Sequence, residues 1–141
     1  MPVRIKVEED VEKIFDPIRK KWLILTPEEW VRQRFLLFMH HIYKYPLSLS
    51  ETEKHFNLFN TIKRADIVFN TRDFKPRIIV ECKAPSVKLD NDVFDQVINY
   101  HMVLNADFLI VTNGMEHFVF EFVNGKVKFL DEIPSYKGEM E

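Results

Sequence analysis

The chain has 141 residues, enough for one domain that buries roughly two thirds of its unfolded surface. With 46% hydrophobic residues and thirteen Phe against three Gly, its composition excludes a disordered or low-complexity chain, and a single Cys excludes an internal disulfide. A net charge of −2 does not advertise nucleic acid, no apolar run is long enough to cross a bilayer, and MPVRIKVEED lacks the features of a secretory signal, so a cytoplasmic location is expected.

Between Val3 and Leu25 the apolar groups IFDPI and WLIL, separated by Arg19-Lys20-Lys21, predict a β extension folded as a hairpin. Thr26-Pro27-Glu28-Glu29 then predicts a helix start, with Thr26 as N-cap, Pro27 in the first turn and Glu29 completing a capping box. Val31, Phe35, Phe38 and Ile42 follow at helical spacing, and Pro46 stops the helix. Extended segments are expected over 49–58, 65–70 and 77–83, with TRDFKP as the turn between the last two. A second helix is predicted over 91–105, capped by Asp90 or Asn91, with Val93, Val97, Tyr100 and Leu104 on its apolar face. DFLIVT lacks alternation, as expected of a strand covered on both faces, and HFVFEFV, Asn124-Gly125 and KVKFLDEI predict a tight hairpin. The expected fold is therefore α/β: a mixed sheet of four or five central strands flanked by helices over 26–133, preceded by the β extension at 1–25 and followed by a loose tail at 134–141.

The chemistry concentrates in PRIIVECKAP. Glu81 and Lys83 are separated by one residue at the end of an apolar strand, so both side chains point to one face. If Asn70 faces Arg77 in an antiparallel hairpin, Asp66 lies directly across from Glu81, and two like charges so placed repel. A divalent cation between the carboxylates relieves this, and Mg²⁺ prefers such oxygen ligands. Lys83 beside the ion could orient or help deprotonate a water and offset charge building on a phosphate. Taken alone, Glu81 and Lys83 read as a solvated pair on an edge strand; the apolar strand they end, the preceding carboxylate and the helix that follows turn the reading to a phosphodiester-cleaving site.

Asp66 followed by a hairpin and Glu81-Cys82-Lys83 resembles the signature of the PD-(D/E)xK nuclease superfamily. More closely, RADIVFNTRDFKPRIIVECKAPS, then Gln96 and Tyr100, then DFLIVTNG, resembles the N-terminal nuclease domain of type I restriction enzyme R subunits, over roughly 26–122. The resemblance implies a restriction-endonuclease-like core and Mg²⁺-dependent hydrolysis of DNA, with Mn²⁺ as a substitute ion. It implies that Asp66, Glu81 and the backbone carbonyl of Cys82 hold the metal, that Lys83 positions the water, and that Gln96 and Tyr100 border the site or touch the DNA backbone. Glu28 on the first helix fits the additional acidic residue of related nucleases. Ala65 stands where the motif has Pro, and no helicase motor follows, so the expectation is a freestanding nuclease-like domain. The alternative is a non-catalytic module that keeps the fold to bind nucleic acid or a protein.

Other features carry less. The basic groups Lys63-Arg64, Arg72, Lys75 and Arg77 are read as a solvated face that permits DNA binding. Five His show no metal-binding spacing and are read as ordinary surface or core residues. Cys82 alternates away from Glu81 and Lys83 and is expected to be a small buried hydrophobe. No Gly-rich phosphate loop is present, so no ATP site is expected. Cutting both strands of a duplex would be simplest for a homodimer.

Overall fold

The computed structural model describes residues 2–138, except for the side chains of Leu58, Tyr100 and Val103. Its elements in chain order are β1 (Ile5–Glu8), β2 (Val11–Asp16), β3 (Lys21–Ile24), α1 (Pro27–Tyr43), β4 (Ser50–Leu58), β5 (Thr61–Asn70), β6 (Pro76–Cys82), α2 (Asn91–His101), β7 (Phe108–Thr112), β8 (His117–Val123) and β9 (Lys126–Leu130). Strands β1-β2-β3 form a small antiparallel sheet, and β4-β5-β6-β7-β8-β9 form a mixed sheet of six strands. The α/β class is as expected, with a larger main sheet. The N-terminal extension is a three-stranded meander rather than one hairpin. Its second strand delivers Ile14 to the interior, and its β2–β3 turn is pinned by a buried carboxylate: Asp16 accepts bonds from the Ile18 and Arg19 amides, Arg19 Nε and the Thr52 hydroxyl.

Helix α1 starts where the sequence predicts, since the Thr26 side chain accepts a 3.0 Å bond from the Glu29 amide. The expected capping box is half made, because the Glu29 carboxylate is taken up by the side chains of Arg32 and Gln33. Val31, Phe35, Leu36 and Met39 bury the helix on one face of the main sheet against Ile67, Phe69, Ile78, Val80 and Ile110. Ile42 is not part of that face: it is 59% exposed, in the last turn before Lys44 ends the helix in the left-handed region.

The Asp90 side chain caps α2 by accepting from the Val93 amide. This helix covers the other face, where Val97 joins Val68, Ile79, Leu109 and Val111. Alternation along β6 explains the division: Ile78 and Val80 turn toward α1, Ile79 toward α2. Strand β7 is buried along its length and runs parallel to β6 and antiparallel to β8. Asn124 and Gly125 both have positive φ, the conformation a two-residue hairpin turn requires.

The tail expected to be loose from Pro134 is docked as far as Tyr136. Tyr45 donates its hydroxyl to the Pro134 carbonyl, the Tyr136 amide donates to the Tyr43 carbonyl, and the rings of Tyr45 and Tyr136 meet edge to face. Among the described residues, no helix is long and apolar enough to cross a membrane.

Candidate active site

Strands β5 and β6 pair as Ile67 with Val80, Val68 with Ile79 and Phe69 with Ile78, and the ladder stops one step short of the expected pairing of Asp66 with Glu81. The expected partner of Asn70 was Arg77; it is Pro76, because the register shifts by a bulge between Phe69 and Asn70. Beyond Ile67 the ladder opens. Asp66 Oδ2 accepts the Cys82 amide at 2.8 Å, so a side chain takes the place a neighbouring backbone carbonyl would hold. On its other side β5 meets Glu53, which has a φ of 53°, and the pairing resumes at Lys54 with Ala65. Asp66 thus sits in a fork at the end of the sheet.

The fork is charged from α1 and β4. Arg32 on α1 is 3% exposed, and its Nη2 lies 2.7 Å from Asp66 Oδ1, 3.1 Å from Glu53 Oε1 and 3.6 Å from Glu28 Oε1, while its Nη1 donates to Glu29. Burial alone would weaken the guanidinium's charge, but the bond to Asp66 and the surrounding carboxylates hold its pKa above the usual value. Glu28 shows the opposite effect: burial, then the charge of Asp66, push its carboxyl up, with Arg32 pulling down and Glu81 adding to the rise. Both candidate carboxylates therefore act on Glu28.

Glu81 and Lys83 project to the α2 side, their charged ends 3.8 Å apart. With Gln96, Val97 and His101 of α2 and His55, Ile62 and Arg64 of the β4–β5 hairpin they line a cavity of about 450 Å³. His101, 1% exposed, has Nε2 3.1 Å from Glu81 Oε2. Asp66 is not on the cavity wall; it lies behind it, in the fork, 2% exposed. Gln96 is exposed at the cavity, and the side chain of Tyr100 lies outside the described residues. Cys82 is buried among the apolar residues facing α1, with its thiol pKa raised by burial and by the charge of Asp66.

The carboxylates do not stand against each other uncompensated, as their facing register alone suggested. Asp66 has Arg32 and the Cys82 amide; Glu81 has Lys83 and His101. Arg32, His101 and Glu53 are the site residues that sequence reasoning missed. Glu28, Arg32 and Glu29 at helical spacing were the available signal for Arg32, whereas nothing local marks His101 or Glu53.

Among the described residues no group of three or more His, Cys, Asp or Glu side chains is placed to hold a metal ion. Mg²⁺ needs fewer, since one or two carboxylates with water and substrate oxygens complete its shell. Asp66 and Glu81 supply that oxygen chemistry, and a carboxylate accepting one bond per oxygen retains lone pairs. These are the oxygen donors a hard divalent cation takes, and an ion at Asp66 would have to compete with Arg32.

Comparison with known families gives a match to the type I restriction enzyme R protein N terminus, over residues 27–134. No curated protein and no solved structure matches the chain.

Proposed function

The chain belongs to the family of type I restriction enzyme R protein N termini, and from this we propose that it is a Mg²⁺-dependent nuclease of the PD-(D/E)xK type acting on DNA. The observation that supports the proposal is that Glu81 and Lys83 share a cavity closed by α2, with Asp66 behind it bonded to the Cys82 amide between them. Asp66 and Glu81, with the Cys82 carbonyl, would hold the ion. When bound, Mg²⁺ supplies Lewis acidity toward a phosphate oxygen and lowers the pKa of water.

The remaining work belongs to side chains. The Lys83 ammonium, beside Glu81, can orient the attacking water and offset charge on the phosphate as it is attacked. His101 holds the Glu81 carboxylate from behind, and Gln96 stands at the rim where a DNA backbone would pass. Cleaving both strands of a duplex calls for two such sites, which a homodimer would supply.

Arg32 favours a second function. It already neutralises Asp66 without a metal, as suits a module that keeps the fold to bind nucleic acid or protein and does not cut. The experiment that decides is cleavage of supercoiled and single-stranded DNA with Mg²⁺ or Mn²⁺, beside binding at matched salt, for wild type, Glu81→Ala and Lys83→Ala. The nuclease reading requires that wild type cuts, that both variants lose cutting, and that Lys83→Ala still binds. Undiminished cleavage by Lys83→Ala would assign the activity elsewhere, and binding without cleavage by wild type would establish the non-catalytic module.

A further inference from the structure

The β4–β5 ladder continues to Leu58 paired with Thr61, whereas β5 pairs with β6 only from Ile67 onward. Residues 61–64 therefore run past the end of β6 with β4 as their neighbour, a ribbon of roughly 14 Å at about 3.4 Å per residue. One side of this ribbon faces the cleft, since His55 and Arg64, directly paired, line the cavity together with Ile62. The ribbon is tied at its base by Glu53, which lies 3.2 Å from Arg64 and 3.1 Å from Arg32.

Charge along the ribbon departs from that of the chain. From Lys54 to Arg64 the sequence contains Lys54, Lys63 and Arg64 and no carboxylate, and the carboxylates that pair with Lys54 and Arg64, Glu51 and Glu53, lie at the ribbon's base. At the tip Phe59 and Asn60 form the turn with positive φ, and Phe59 is 92% exposed, the most exposed large apolar side chain among the described residues. A cationic ribbon ending in a bare aromatic ring, overhanging a cleft, suits a polyanion whose interior is apolar.

We propose that the β4–β5 ribbon is an arm that grips duplex DNA and holds it over the cleft, with Lys63 and Arg64 on backbone phosphates and Phe59 against the bases in a groove. This rests on the nuclease reading for what happens in the cleft, but the arm's own role is binding. Ammonium and guanidinium groups on phosphates release counterions, so each contact steepens the salt dependence by about 0.9 in the logarithmic slope. An apolar side chain set between base steps adds contact that salt does not screen.

The test is fluorescence anisotropy of a labelled duplex with the full chain, in EDTA to suppress cutting, over a salt series. The variants are Phe59→Ala, Lys63→Ser/Arg64→Ser and Glu81→Gln, each first checked for an unchanged circular dichroism spectrum. The double variant is expected to weaken binding on the order of 10- to 100-fold at low salt and to lower the slope by about 2. Phe59→Ala should weaken binding about fivefold or more with the slope unchanged, and Glu81→Gln should keep arm-dependent binding. Wild-type affinity and slope in the double variant, or no binding of duplex by wild type, would overturn the arm. Cutting by wild type with arm variants of unchanged affinity would remove the arm and leave the nuclease; arm-dependent binding without cutting in Mg²⁺ would do the reverse.

Discussion

Arg32 Nη2 and Asp66 Oδ1 lie 2.7 Å apart, both buried, joining the first helix to the end of the strand ladder across 34 positions of sequence. The same guanidinium serves Glu29 and Glu53, so its removal leaves several carboxylates in a poorly solvated place with no cation. Arg32→Met should destabilise the fold by about 3–5 kcal/mol, the usual consequence of breaking a buried pair from one side. Urea unfolding measures it, and Arg32→Lys should recover only part, since a point charge cannot span three carboxylates.

Asp16 should set part of the response to acid. Burial, the largest influence on its carboxyl, acts to raise the pKa, but the bonds from Thr52, Arg19 and Ile18 outweigh it and the net shift is downward. Below the ordinary value of 3.8 the unfolded chain takes up the proton first, so this contribution is complete above that pH and is lost as pH falls through the folded value. Asp16→Asn should lower stability by about 3 kcal/mol at neutral pH, and should flatten the fall in stability below pH 3.8.

Glu28 behaves in the opposite sense. Its carboxyl is pushed up by burial and by Asp66, so the folded protein binds the proton more readily than the unfolded chain. Its contribution is most favourable below its ordinary value of 4.5 and is lost as pH rises through the folded value. Glu28→Gln should therefore raise the melting temperature at neutral pH, and the gain over wild type should close below pH 4.5.

A cation bound only by the folded protein raises its melting temperature with concentration, by about 2.7 kcal/mol when present at a hundred times its dissociation constant. Millimolar Mg²⁺ or Mn²⁺ should show this in wild type, and Glu81→Gln should remove most of it. Asp66→Asn should lose the response and also lower stability without metal, since it weakens the hold on Arg32 and the Cys82 amide. A melting curve indifferent to metal would favour the non-catalytic module.

What was legible in the sequence was local. Thr26, Asp90 and the Asn124-Gly125 turn announce themselves through their own backbone requirements, and each element they begin or join is where they predict. The antiparallel pairing of β5 with β6 was legible too, although it was anchored on Asn70 facing Arg77, a pairing that the bulge displaces. The start of β5 at Thr61 was not, because Thr61, Lys63 and Arg64 have no buried face to impose alternation where the ribbon leaves the sheet. Nor were the partnerships of Arg32 with Asp66 or His101 with Glu81, which join residues 34 and 20 positions apart. Such pairs exist only once the chain has folded.

Within the six-stranded sheet, β6 and β7 are the parallel pair, between antiparallel meanders β4-β5-β6 and β7-β8-β9. Hairpins close in microseconds, but a parallel seam must wait for its crossover, so joining the meanders is the slow, long-range step of folding. The crossover contains α2, and with it Gln96 and His101. Before the seam closes, Glu81 and Lys83 stand on an open edge beside Ile78, Ile79 and Val80, a strand well suited to pair with another chain. Substitutions at Leu109 or Val111 that delay closure would thus reduce the yield of soluble protein, while leaving the chemistry of those molecules that fold untouched.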